Sequence, residues 1–255
     1  MTSPTTTPTP PATGSMAMSV QEFVAMQPKY AWRRRVLRAF ISFVFRIFFR
    51  LEVTGLDNIP ASGPSLLMMN HITLLDPVLC MVVVKDRFVI PMTKVENLEN
   101  PFIAPFVRWW GSFSINRGEI DRKALMNSIE LLKSGQLILI APEGHRHPEG
   151  LSQPKDGFAF IATKADAVII PATINGAVGW QRAFKFQRPR IRVNFGKPFK
   201  FKVGANGRVA RDNLTPMMDE AMYQMAIAVT DETRRGVYSD LSKATTEHLE
   251  FVQLR

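Results

Sequence analysis

The residues best suited to chemistry stand in one short stretch, Asn70-His71-Ile72-Thr73-Leu74-Leu75-Asp76-Pro77. An aspartate five residues beyond a histidine can accept a hydrogen bond from one imidazole nitrogen. That bond fixes the tautomer and leaves the other nitrogen free to take a proton from a hydroxyl. A plainer reading of the same residues has His71 as a satisfied core histidine and Asp76 as a helix cap.

Such a pair must be held by regular elements. Ser65-Leu66-Leu67-Met68-Met69 is an apolar run of strand length, and Asp76-Pro77 has the N-cap and first-turn character of a helix start. This predicts a strand ending at Asn70 and a helix running from Pro77 to about Val84. Further strands are predicted at Leu51–Val53, Arg87–Met92, Ser112–Asn116, Leu137–Ile140 and Val168–Ile174, and a half-exposed strand in the alternation through Arg190–Val193. Helices are predicted over Asp121–Lys133, stopped by Gly135, and over Leu214–Val229, where the methionines read as core filler. The apolar piece Pro101–Trp110 reads as core, as the wall of an acyl pocket, or as a second membrane contact. Strands alternating with helices indicate an α/β fold: one domain with a mixed, mostly parallel sheet flanked by helices, its site residues gathered where several strands end.

The totals narrow the field. A chain of 255 residues can bury one sizeable core, and no break in composition asks for two. The single cysteine, Cys80, excludes an internal disulfide framework and a multi-cysteine metal site. A formal charge of +10 asks for an anionic partner: nucleic acid, an acidic membrane surface or a phosphorylated substrate. Gln181–Lys202 carries eight basic residues and no acid, either a solvated face or part of such a contact.

Residues 1–19 are Thr/Pro-rich and read as a disordered tail without the apolar core of a signal peptide. Composition changes sharply at Trp32–Leu51, where Arg34, Arg38, Ser42, Arg46 and Arg50 recur every fourth residue among phenylalanines. Arg46 in mid-run is at odds with a membrane span. An N-terminal amphipathic helix over 20–51, lying in the lipid interface with its arginines on anionic headgroups, fits the pattern; the competing reading is a helix packed on the domain. The catalytic domain is then expected over 52–238, with 239–255 a helical tail.

Four motifs now stand in order: Asn70-His71 with Asp76, Gly111 to Arg117, Pro142-Glu143-Gly144 with Arg146, and Ile170-Pro171. Over roughly Val53 to Tyr238 the chain resembles the glycerolipid acyltransferase family typified by 1-acylglycerol-3-phosphate (lysophosphatidate) acyltransferase. The family's Asn-His-x-Ser-x-x-Asp appears with Thr73 in the serine place, its Gly-x-x-x-(Ile/Val)-x-Arg as Gly111 to Arg117, and its Phe-Pro-Glu-Gly-Thr-Arg-Ser as Ala141 to His147. His145 and His147 depart from that third motif. Lys94, Lys155 with Gly157, and Arg235-Gly236-Val237-Tyr238 are similar to its secondary landmarks.

The resemblance implies acyl transfer from a thioester, acyl-CoA or acyl-carrier protein, to a lysophospholipid hydroxyl, with no resident cofactor and no metal. His71 is then the general base and Asp76 its orienting carboxylate. Asn70, Thr73, Lys94, Arg117, Glu143, Gly144, Arg146, Lys155 and Gly157 are implied as substrate-binding, with the arginines on the acceptor phosphate. An anionic membrane surface on the cytoplasmic face is the expected partner. A nucleic-acid-binding protein is suggested by charge alone, without a reader motif, and an inactive scaffold sits poorly with intact His71, Asp76, Arg117 and Glu143.

Overall fold

The computed structural model describes residues 19–94, 99–101, 103–115, 122–155, 157–204, 209 and 213–254. The tail expected over 1–19 lies outside the described residues apart from Ser19. Helix α1 spans Val20–Phe48 and starts with a capping box, in which the Ser19 side chain and Glu22 satisfy one another's backbone N–H groups. Then come β1 (Arg50–Thr54), β2 (Ser65–Met69), α2 (Asp76–Val83), β3 (Val89–Lys94), α3 (Ala104–Trp110) and β4 (Phe113–Ile115). The second half has α4 (Arg122–Lys133), β5 (Leu137–Ile140), α5 (Gly157–Lys164), β6 (Val168–Asn175), β7 (Arg190–Phe195), β8 (Phe199–Phe201), α6 (Leu214–Ala228) and β9 (Leu249–Phe251).

The strands lie in the order β1-β7-β6-β2-β5-β3-β4, with β8 joined to β6 and β9 to β8. Strands β6, β2, β5, β3 and β4 run parallel, whereas β7 is antiparallel to β6 and parallel to β1. All five residues of β2 are buried, as a central strand covered on both faces requires. Its side chains alternate between two cores. Leu66 and Met68 join Ile138 and Ile169 under α4, α5 and α6. Leu67 and Met69 join Leu139 and Ile170 under α2, Trp110 and the end of α1. The result is a three-layer α/β sandwich whose parallel strands end together at one edge.

Helix α1 docks on this sandwich through a face that the fourfold arginine spacing assigns to lipid. Arg34 is 1% exposed; its Nε donates to the Trp110 carbonyl at 2.5 Å and its Nη2 to the Gly111 carbonyl at 3.2 Å. Those are the orphan carbonyls at the C-terminal end of α3, a natural seat for a cation. Burial lowers the guanidinium to about 10, so it stays charged at neutral pH. Arg38 donates to the carbonyls of Val84 and Lys85, and Phe45 and Phe49 enter the core. The outward stripe is instead Trp32, Val36, Phe40, Phe43 and Ile47, flanked by exposed Arg35 and Arg46. The fourfold spacing is helical, but carbonyls at the C-terminal ends of α3 and α2 draw Arg34 and Arg38 inward, while Arg46 and Arg50 stay exposed. Among the described residues no helix is long and apolar enough to cross a membrane.

Two further differences follow from tertiary contacts. The tail expected to be helical over 239–255 carries β9, paired with β8 through Phe199↔Phe251 and Phe201↔Leu249. Glu220 of α6 pins the turn before it, accepting from Thr245 Oγ1, Glu247 N and His248 N. Helix α5 was not anticipated, because Gly157-Phe158-Ala159-Phe160-Ile161-Ala162 is apolar nearly all round and shows no amphipathic period.

Candidate active site

Asn70 directly follows β2, buried, and both ends of its amide are used on one residue of β6. Its Nδ2 donates to the Ile174 carbonyl at 3.0 Å, and its Oδ1 accepts from the Ile174 N–H at 2.7 Å. A side chain thereby continues the ladder one step past the last paired strand residues, Met69 and Ala172. With both ends of its amide engaged on Ile174, Asn70 fixes the strand end.

His71 comes next, 17% exposed, its Nδ1 3.2 Å from Oδ2 of a fully buried Asp76. Asp76 Oδ2 also accepts from the backbone N–H of Ile72 at 2.6 Å and of Thr73 at 2.5 Å, and its Oδ1 accepts from Thr73 Oγ1 at 2.7 Å. Asp76 is therefore the first residue of α2 with its carboxylate folded back on the 71–73 turn; the N-cap position is Leu75, which makes no side-chain cap. A carboxylate receiving two backbone N–H groups and a hydroxyl is an acceptor, so Nδ1 carries the imidazole hydrogen and Nε2 the free lone pair. Thr73 serves this network: its Oγ1 donates to Asp76 and accepts from Leu75 N. Cys80, one turn along α2, is buried, and that burial with the nearby Asp76 charge pushes its thiol far up, which removes it as a nucleophile.

The third-motif loop closes over His71 from the β5 side. The His147 N–H donates to the His71 carbonyl at 2.7 Å. Glu143, 2% exposed, accepts from Ser152 N at 2.9 Å and Ser152 Oγ at 3.0 Å. Burial raises this carboxyl, opposed by Ser152, by His147 and by the His71 backbone N–H. Gly144 has φ +81°, and a Cβ there would meet Lys155 Cε at 2.8 Å, so Lys155 lies directly against the loop. Arg146, His145 and Lys155 are exposed, and the His145 and His147 rings stand 4.5 Å apart. The Arg235–Tyr238 landmark clamps the same loop: Leu151 N donates to the Arg234 carbonyl, and Val237 N donates to the Leu151 carbonyl.

The structure thus gathers His71, Asp76, Thr73, Glu143, Gly144, Arg146 and Lys155 at the edge where β2 and β5 end. Gly157 opens α5, where an added Cβ would meet only Leu125 at ordinary contact distance. Lys94 ends β3 in register with Ile115, and its side chain is outside the described set. Arg117 lies outside the described residues. His147 was legible only as a departure from a motif; its backbone bond to His71 leaves no trace in spacing.

Residues 50–175 match the family model described as Acyltransferase. That stretch is an acyltransferase domain. The chain is 28% identical over 181 residues to the 1-acyl-sn-glycerol-3-phosphate acyltransferase of Streptococcus pneumoniae, spanning 70% of this chain and 63% of that relative. It is 31% identical over 128 residues to the enzyme of that name from Borreliella burgdorferi, spanning 49% of this chain and 51% of the relative. The chain therefore covers one-half to two-thirds of the length of these two curated relatives. Among solved structures, the 1-acyl-sn-glycerophosphate (LPA) acyltransferase PlsC from Thermotoga maritima superposes with a TM-score of 0.57, covering 76% of this chain and 78% of that one. At 22% identity that likeness bears on the acyltransferase fold alone.

Proposed function

We propose that this acyltransferase moves a fatty acyl group from a thioester, acyl-CoA or acyl-carrier protein, to the free hydroxyl of a lysophospholipid. The acceptor we favour is 1-acylglycerol-3-phosphate, giving phosphatidate. The observation that carries the reading is the 3.2 Å contact between His71 Nδ1 and a buried Asp76 already held by three other donors.

Nε2 of His71 takes the acceptor's hydroxyl proton as its oxygen attacks the thioester carbonyl. Asp76 balances the imidazolium that forms. Collapse of the tetrahedral intermediate breaks the C–S bond, and the departing thiolate takes the proton back from Nε2. No acyl-enzyme is needed, since the substrate hydroxyl stands where a hydrolase would place a serine. Arg146 and Lys155 supply cationic hydrogen-bond donors for the acceptor phosphate, and Arg117 is proposed to join them.

A second reading, a larger phosphorylated or glycosylated lyso-lipid acceptor, rests on the adjacent imidazoles of His145 and His147, which stand where the family motif carries Thr and Ser. The surface we assign to the membrane is the stripe Trp32, Val36, Phe40, Phe43 and Ile47, prolonged by Trp109 beside Trp32 and by Phe186 beside Phe48. A monotopic seat on that stripe, with Arg35 and Arg46 at headgroup level, suits an enzyme whose acceptor and product are both lipids.

The test is transfer from acyl-CoA and from acyl-carrier protein across lysophospholipid and glycolipid acceptors, with products identified by mass. A phosphatidate product lost in His71→Ala supports the reading. No acylated lipid from any pair of substrates overturns it.

A further inference from the structure

On the far side of β2 from the third-motif loop lies a cavity of about 520 Å³, within the range of small-molecule sites. Its walls come from the end of β6, the start of β7 and the segment after α6: Asn175, Arg190, Arg192, Thr230, Asp231 and Thr233. Asn175 is 4% exposed, and neither its Nδ2 nor its Oδ1 has a hydrogen-bond partner. A buried amide left wholly unpaired is costly and uncommon in folded proteins, and this one lines a cavity. It can both donate to and accept from a ligand.

The charges around it are unevenly committed. Arg190 and Arg192 alternate along β7 and share the single carboxylate of Glu52, at 3.1 and 3.0 Å, leaving the group net positive. The acids on the opposite wall have partners of their own. Asp231 faces Arg234 at 3.9 Å and accepts from Thr233 N and Thr233 Oγ1, and Glu232 pairs with Arg235. The cavity therefore offers a neutral amide inside and a cationic rim outside.

Its position relative to the base follows from the topology. Asn175 comes directly after Ile174, the residue bridged by Asn70, and Asn70 directly precedes His71. Asn175 and His71 are thus each the next residue along the chain from the bridged pair Ile174 and Asn70, at the same end of the sheet. The post-α6 wall is also tied to the loop over His71, because Arg234 donates to the Pro148 carbonyl and accepts from Leu151 N. The base thus has the acceptor loop on its β5 side and this cavity on its β6 side.

We infer that the cavity between β6, β7 and the post-α6 segment receives the phosphopantetheine arm of the thioester donor, with an arm amide on Asn175 and the phosphate on Arg190 and Arg192. The inference rests on the acyl-transfer reading of His71. A lysophosphatidate headgroup offers a phosphate but no amide, whereas a phosphopantetheine arm carries both groups the cavity is equipped for. That arm is common to coenzyme A and to acyl-carrier protein.

Calorimetric titration of the full chain with pantetheine, 4′-phosphopantetheine, coenzyme A and holo-acyl-carrier protein tests it. Asn175→Leu should weaken every probe that binds wild type at least tenfold while leaving Tm unchanged or raised, since it removes two unsatisfied buried groups. Arg190→Gln with Arg192→Gln should weaken the phosphate-bearing probes at least tenfold and leave pantetheine within twofold. The relative affinities of coenzyme A and the holo-carrier identify the natural source. Binding of none of the four to wild type overturns the assignment, as does binding that both variants leave within twofold. A raised KM for the lysolipid with an unchanged donor KM would overturn it too, handing the cavity to the acceptor. If the arm binds as described but no donor supports transfer, the proposed activity fails and the binding site stands.

Discussion

The backbone N–H of His147 donates to the backbone carbonyl of His71 at 2.7 Å. His71 and the third-motif loop are therefore one mechanical unit: Asp76 holds the imidazole and His147 holds the main chain. Glu143 braces the same loop through Ser152, and the Arg234–Val237 backbone holds it through Leu151. Displacing the loop should move His71, and with it the proposed chemistry.

The two members of the pair should separate by variant. His71→Ala should lower kcat by roughly 10²–10⁴-fold with the fold intact, the usual worth of a positioned general base. Asp76→Asn keeps an oxygen for Ile72, Thr73 and His71 and turns its nitrogen toward Thr73 Oγ1, so the tautomer survives and only the charge is lost. That variant should retain measurable activity and most of its Tm. A His71→Ala enzyme keeping more than a tenth of wild-type kcat would remove His71 as the base.

Acceptor binding should be separable from donor binding. Arg146→Gln and Lys155→Gln each remove one exposed cation from the loop and should raise the lysolipid KM several-fold with the donor KM unchanged. Steady-state kinetics with each substrate varied in turn decides this, and a matching rise in donor KM would move these residues out of the acceptor site.

Helix α1 should respond oppositely on its two faces. Phe40→Ser with Phe43→Ser removes apolar surface worth about 1.5–3 kcal/mol per fully buried phenylalanine, so liposome affinity should drop at least tenfold in a folded protein. Arg34→Met instead strands the Trp110 and Gly111 carbonyls and should cost roughly 2–4 kcal/mol of stability. Cosedimentation and circular dichroism on the same samples check both, and undiminished liposome binding by the phenylalanine variant would end the membrane role of that stripe.

Glu220 sets a pH dependence. Burial works to raise its carboxyl, but hydrogen bonds from Thr245, His248 and Glu247 outweigh that and hold it below the ordinary 4.5. A depressed carboxyl contributes stability that is fully present above the unfolded value and lost as pH falls through the folded one. Glu220→Gln should therefore lower Tm near neutral pH, and the gap from wild type should close as pH drops below about 4. A gap that is constant from pH 7 to pH 3 would show that the carboxylate charge is not what ties down β9.

Much of this arrangement was legible in the amino-acid order, for reasons that differ by residue. Ser65–Met69, Leu137–Ile140 and Val168–Ile174 announce themselves because a strand buried on both faces must be apolar throughout. His71 and Asp76 are local to one turn, so their spacing carried their geometry. What failed to show depends on partners distant in sequence. Arg34 looked like a lipid-facing arginine because the carbonyls that take it inward lie 76 and 77 residues further on. Asn175 is an ordinary strand-end asparagine in sequence and becomes conspicuous only when the fold leaves its amide without a partner. Residues 239–255 looked helical because nothing local reveals the β8 edge that recruits Leu249–Phe251.

The amide of Asn70 has a consequence of another kind. Past Met69 the seam between β2 and β6 is held by a side chain of fixed length in place of a main-chain rung, so the width of the crevice there is gauged by one carboxamide. Asn70→Gln would widen the gap by a methylene and Asn70→Asp would set an anion against the Ile174 carbonyl, and either would reset the distance between the two flanks of the base. In this fold the spacing of the two strand ends beside His71 is set by the length of a single side chain.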